Sequence, residues 1–380
     1  MRLFQPAAVI APAAVIALAL LSACGSATAT TTPAQSGASS AAARSFSPVV
    51  RDLLDAAKQR GETELNLSWS ETSLGGATGA KQFETLFNSF YGTTVKFNFT
   101  PGPSMTDMAG KITQEVTAGH PASSDVFTGT EQHFGSLLDR GILEEYDYTQ
   151  LSSRITKSIV TPRNQGVEFA TIVSGITYNT NLVPADQVPR KLEDLLDPKW
   201  KGKIASTTDA AIFDRVAMRP EWGGDKMKSY LSKLSQNLGG LVRASENAPI
   251  VNGQYAMLAL DGGGHQVRKA VAGGAPLGHA IPEDAATLAF LHLGVPKTAA
   301  HPNLSKLFIN LALSEEGQRL VFATHFTDLH ELPGSQAAPE VNALLSKSVN
   351  FLRVDVEFDR QHPELNGLRE EFVNILRQKG

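Results

Sequence analysis

Three polar clusters each follow an apolar run in this chain: Ser70-Glu71-Thr72-Ser73, Thr128-Gly129-Thr130-Glu131 and Asp261-Gly262-Gly263-Gly264. Hydroxyls, carboxylates and open backbone N–H groups are what a protein uses to hold a small polar molecule. Carboxylates accept from an amine, and successive N–H groups cradle a phosphate, phosphonate or carboxylate. The third cluster is the sharpest. It lies in YAMLALDGGGHQVRK, Tyr255 to Lys269, where the run Met257 to Leu260 stops at Asp261 and three glycines. Adjacent glycines weaken helix and strand alike, because glycine loses the most freedom on ordering. The bare main chain there is therefore expected to be contact surface. It is not a nucleotide P-loop, since no Lys-Ser/Thr follows. Ser206, Thr207 and Thr208 end another apolar segment and are expected to open a helix as an anion cradle. Capping is the alternative role for every Ser, Thr and Asp so placed.

Other chemistries lack their signatures. Nine histidines are present, and His265, His279, His292 and His301 lie close in sequence, but none falls in HExxH or a short metal pair. No GxSxG elbow appears. Neither a catalytic centre, a metal site nor a cofactor is expected, and an extracellular hydrolase is the alternative from another class.

The elements that must position these clusters alternate. Leu65, Leu67 and Trp69 have strand period; Phe83, Leu86, Phe87 and Phe90 stripe a helix. Val95, Phe97 and Phe99 alternate again, Met105, Met108, Ile112 and Val116 stripe a second helix, and Asp125-Val126-Phe127 reads as a short buried strand. Val167, Phe169, Thr171 and Val173 form a further strand, and Met227 to Leu238 and Leu304 to Leu311 further helices. Leu368, Phe372 and Leu376 mark a terminal helix. Such alternation predicts an α/β fold with parallel sheets covered on both faces. Ligands of such sheets sit off the carboxyl ends of strands, where all three clusters fall, each before a helix whose free N–H groups favour anions.

The 34 Lys plus Arg against 38 Asp plus Glu leave a formal charge of −4, which gives no basis for a nucleic-acid partner. The chain opens with Arg2 and an apolar stretch, Ala7 to Leu21, of about fifteen residues, typical of a signal peptide and short for a membrane span. It ends in Leu21-Ser22-Ala23-Cys24-Gly25, similar to a bacterial lipobox. Cys24 is the single cysteine and the expected lipidation site, with residues 1–23 as the signal. Residues 24–44, rich in Ala, Ser and Thr, form a tether that buries too little to order. Acyl chains would hold the mature protein on the membrane.

Longer motifs are more specific. YNTNLVPADQVPRKLEDLLDPKWKGKI, Tyr178 to Ile204, resembles the central segment of the family 1 extracellular solute-binding proteins, in the branch of ferric-iron, thiamine, polyamine and organophosphonate binders of ABC importers. PEDAATLAFLHLGVPKTAAHPNLSKLFINLALSEEGQ, Pro282 to Gln318, and SSDVFTGTEQ, Ser123 to Gln132, are similar to further motifs of that family in the same order. The resemblance implies a type II periplasmic-binding-protein fold: two α/β lobes, a hinge, and an interlobe ligand cleft. Lobe 1 would span 45–165 plus 290–335, lobe 2 166–289, and a C-terminal helical tail 336–380. It implies a monomer, extracytoplasmic in the periplasm or on the outer face of the membrane, that captures a small-molecule solute and delivers it to ABC permease and ATPase subunits. Thr171 would lie on the first hinge strand. The expected contacts are Ser70, Glu71, Thr72, Thr130, Glu131, Thr171, Thr207, Thr208, Asp261, Gly262 and Gly263. In ferric-binding members the segment after the Met257–Leu260 strand carries two tyrosines; the corresponding positions here are about Gly263 and Gly264. A hard trivalent ion needs anionic oxygen ligands, so an anionic or zwitterionic solute is expected, with ferric iron as the alternative within the family.

Overall fold

The computed structural model describes residues 45–378, Ala211 and Ser245 excepted. The expected signal peptide and tether, with Cys24, lie outside the described residues. Within them the strands are β1 (Glu64–Ser70), β2 (Lys96–Gly102), β3 (Phe127–Thr130), β4 (Val167–Val173), β5 (Gly175–Asn179), β6 (Ile204–Thr207), β7 (Leu238–Val242), β8 (Met257–Asp261), β9 (Leu277–Ala280), β10 (Thr287–Gly294) and β11 (Leu352–Val354).

The alternating residues of β1 become core. Leu65, Leu67 and Trp69 are buried, and the Trp69 indole donates to Val126 O at 2.6 Å. Each such side chain contributes about 1.5–3 kcal/mol by leaving water. The stripe of helix Gly76–Tyr91 places Phe83 and Phe87 beside them, with Phe83 against Phe308 at 5.6 Å. β1 pairs in parallel with β2. The strand expected at Asp125 begins two residues later, at Phe127. Asp125 is diverted: its carboxylate accepts from Asn66 N and from His301 N and bonds the His301 ring.

The sheets are mixed rather than wholly parallel. β1/β2, β6/β7, β6/β8 and β10/β11 run in parallel, whereas β10 opposes β3 and β4, and β5 opposes β8 and β9. The reason is connectivity. β4 runs straight on into β5 through Ser174, and the chain returns from β9 to β10 through residues 281–286. An outbound and a returning strand lie antiparallel side by side, and Ser174 N donates to Thr287 O at 3.2 Å across them. One lobe thus centres on β1–β4, β10 and β11, the other on the sheet β7-β6-β8-β5-β9.

The tail joins both cores. Val341 is buried with the residues around β1, Val356 with Phe127 and Phe134, and Phe372 and Leu376 with Phe213 and Tyr230 of the second lobe. No helix among the described residues is long and apolar enough to cross a membrane.

Candidate functional site

Gly264 opens helix Gly264–Ala272 at the end of β8. A Cβ there would lie 2.8 Å from Val173 O and 2.9 Å from His279 Cε1. The close approach that removed this side chain is made by the protein's own crossing strand. A Cβ on Gly262 would instead meet Ile172 and Ile212 side-chain atoms at 3.7 and 3.8 Å, ordinary contact. The glycine run therefore lies against β4, where the chain passes between lobes. Asp261 is buried opposite Gly175, and Gly263 is buried as the residue before the helix.

Glu131 begins helix Glu131–Asp139 directly after β3 and is 3% exposed. Its Oε1 accepts from Arg215 Nη2 at 2.7 Å. Arg215 stands in the short helix Phe213–Val216 that follows β6, so this ion pair joins the lobes. Asp214, fully buried, takes Arg215 N (2.9 Å) and Nη1 (3.4 Å) on one oxygen, and Arg369 Nε (2.9 Å) and Nη2 (2.6 Å) of the C-terminal helix on the other. Burial works against the Arg215 charge, but Glu131 and Asp214 outweigh it and raise its pKa. Burial and then the Glu131 charge push the Asp359 carboxyl up. Glu131 Oε2 and Arg215 Nε are buried without a hydrogen-bond partner, as are Ser206 Oγ and Thr207 Oγ1 at the end of β6. Unmade hydrogen bonds of ionised buried groups are costly, so an unpartnered acceptor and an unpartnered donor on one interlobe ion pair need a partner.

A second polar junction lies beside Gly264. Glu340 accepts from Arg268 Nη1 at 2.6 Å and pairs with His279 Nδ1 at 3.1 Å, while Arg268 Nε donates to Phe326 O at 2.7 Å. Burial opposes the Glu340 charge, but His279 and Arg268 hold its pKa down. His265 stacks on His325 at 4.9 Å. Burial, then the His325 charge, depresses His265 to about 3; burial takes His325 to about 4.

The remaining expected contacts are placed differently. The Ser70 and Ser73 hydroxyls bond each other at 2.6 Å, and Glu71 and Thr72 are exposed in the same turn. Thr130 caps its helix through His133 Nδ1 at 2.9 Å. Thr171 Oγ1 is engaged by His330 Nδ1 (2.8 Å) and His330 N (3.1 Å), tying β4 to the segment after helix Glu315–His325. No helix opens at Thr208: the chain turns through Ala210 (φ 48°) and Ile212 (φ 75°) before Phe213. Such backbone is strained for side-chain-bearing residues and is concentrated at functional sites. Thr208 is exposed and lines a cavity of ≈ 550 Å³ with Asp209, Arg369 and Arg377. A groove of ≈ 950 Å³ between helices Gly76–Tyr91 and Glu315–His325 holds Lys81 and Arg319, each paired on its own helix, with Glu84 and Glu315. It lacks unpartnered buried groups of the kind that mark the interlobe pair. Among the described residues no three His, Cys, Asp or Glu side chains converge as a metal-holding group.

Two sheet-centred α/β lobes joined by paired crossing strands are the architecture of two-lobed binding proteins. The family model of the bacterial extracellular solute-binding proteins matches residues 80–349, and the chain belongs to that family. Solved structures agree in fold. The substrate-binding protein of an ABC transporter from Agrobacterium tumefaciens aligns with 83% of this chain and 96% of its own at 15% identity and TM-score 0.63. Iron-bound HitA from Pseudomonas aeruginosa aligns with 84% and 99% at 18% and 0.59. AfuA from Actinobacillus pleuropneumoniae, with fructose-6-phosphate bound, aligns with 83% and 99% at 20% and 0.59.

Arg215 and Arg369 escaped the sequence reading. A signal exists for the first: Asp214-Arg215 interrupts the apolar stretch Ala210 to Met218, and charges in such a run are buried and paired.

Proposed function

We propose that this chain is the substrate-binding component of an ABC importer. It captures a small polar solute with an anionic or zwitterionic group between its lobes and delivers it to a membrane permease coupled to an ATPase. The observation that supports this is the interlobe pair Glu131–Arg215, buried with an acceptor and a donor left open. Thr207 and the Asp261–Gly263 segment, at the neighbouring ends of β6 and β8, belong to the proposed contact set, as do Ser70, Glu71 and Thr72. Hinge closure would bury the solute and present the closed form to the permease. Neither part of this reading requires turnover. Cys24 would carry the lipid that keeps the protein at the membrane, and Cys24→Ser is expected to move it to the soluble fraction; continued sedimentation with membranes would point to another anchor.

The test is mass spectrometry of whatever co-purifies with the protein, followed by calorimetry with that compound. One small solute bound without chemical change supports the reading. Turnover of a compound would favour the hydrolase, and stoichiometric ferric iron the iron-binding alternative.

A further inference from the structure

We infer that the solute is a net-neutral zwitterion, its cationic group received by Glu131 and its anionic group by Arg215. The inference rests on the solute-binding reading above and narrows it to one charge class. It begins from the groups that surround the open atoms. Two carboxylates, Glu131 and Asp214, face two guanidinium groups, Arg215 and Arg369, in one continuous chain of hydrogen bonds. Asp214 is fully buried and Glu131 and Arg215 nearly so, so their charges are felt at low dielectric. The four groups already balance. A phosphate or dicarboxylate placed among them would bring negative charge with no counter-charge left to receive it. A simple amine would do the reverse. An uncompensated buried charge is the costly case, whereas a solute carrying both signs adds none.

The open atoms specify the same thing. As a carboxylate oxygen, Glu131 Oε2 accepts. Arg215 Nε only donates. Both belong to ionised groups, and charge-assisted hydrogen bonds to ionised partners are about twice as strong as neutral ones. An ammonium for Oε2 and a carboxylate or phosphonate oxygen for Nε answer both. The pair is joined by one bond, Nη2 to Oε1, instead of the two-pronged contact a guanidinium and a carboxylate can make. One edge of each group is thereby left for the solute. Asp359 lies beside Glu131, and burial and then the Glu131 charge push its carboxyl up toward the neutral form, so it leaves the balance of the four groups unchanged and offers an anion no positive charge. Arg369 contributes as a positioning residue. By occupying one oxygen of Asp214 it leaves the other to orient Arg215.

Calorimetry on the full chain in detergent tests this, using a panel of α-amino acids, β-alanine and γ-aminobutyrate. Each is paired with its counterpart lacking the cationic group and its counterpart lacking the acid, and glycerol, glucose, inorganic phosphate and fructose-6-phosphate are added. One zwitterion is expected to bind more tightly than both of its counterparts, on the order of 100-fold. Glu131→Gln is expected to lower the discrimination against the counterpart lacking the cationic group to roughly tenfold or less, while the preference over the counterpart lacking the acid persists. A merely structural role would weaken all ligands alike. Tight binding of a phosphate ester, a sugar or a dicarboxylate, with the zwitterions silent, would overturn the inference and leave solute binding standing. A protein that melts cooperatively, binds nothing in the panel and carries no co-purifying solute would overturn both.

Discussion

Gly264 and the Glu131–Arg215 pair make opposite demands on substitution. Gly264→Ala puts a methyl 2.8 Å from Val173 O, and overpacking of that kind costs about 1–3 kcal/mol. Gly262→Ala is expected to be near neutral, because its contacts would be ordinary. Urea melts of the two variants check this; equal stability for Gly264→Ala and wild type would contradict the geometry. Arg215→Ala leaves Glu131 and part of Asp214 buried without their partner, a loss of about 3–5 kcal/mol, whereas Glu131→Met with Arg215→Met removes both charges and is expected to recover most of it. A double variant as unstable as the single one would show that the loss comes from the missing pair itself and not from an uncompensated buried charge. The sequence reading found Glu131 and the glycines because polar residues after apolar runs stand out. It could not assign the cause of Gly264, because the partner is Val173 O, ninety-odd residues away, and one carbonyl oxygen leaves no trace in residue type.

At the level of elements, period did most of the work. Leu65, Leu67 and Trp69 and the stripe of helix Gly76–Tyr91 fold where their spacing puts them. Pairing partners were not legible. Whether β10 lies beside β3 and β4 is decided by the return of the chain between lobes, not by any local preference. Thr208 misled for a related reason: Ser and Thr favour helix starts, yet here the strained turn through Ala210 and Ile212 intervenes. The tail was legible as a helix but not as a tie between lobes. Phe372 is fully buried among second-lobe residues, so Phe372→Ala is expected to cost about 3–5 kcal/mol. Because Arg369 lies one turn earlier on that helix, the variant should also weaken solute affinity. An unchanged melting temperature would mean that helix Leu365–Arg377 is not integral to the second lobe.

For the whole molecule, the family and fold rest on long motifs that span both lobes, which is why they could be read before the site could. Buried histidines also give the molecule a pH dependence. Burial depresses the imidazoles of His265 and His292 to about 3 and of His325 to about 4, below the ordinary value near 6.5. The fold holds these bases neutral, so the unfolded chain binds more protons between about pH 6.5 and 4. Their contribution is complete above 6.5 and is lost as pH falls, by up to about 1.4 kcal/mol per pH unit for each imidazole. Glu168, which burial pushes up to about 8, opposes this over the same range, but three imidazoles outweigh one carboxyl, so the urea midpoint should fall from pH 7 to pH 5, and by less in His325→Phe. Equal midpoints would contradict the burial of these neutral histidines. The central claim is that the two lobes close on a dissolved solute. Small-angle X-ray scattering of the purified protein, stripped of ligand and then titrated with its co-purifying solute, tests it most directly. The account predicts a saturable decrease in radius of gyration that tracks the calorimetric stoichiometry and is abolished by Arg215→Ala at the same solute concentration. Saturating solute that leaves the scattering curve unchanged would contradict it.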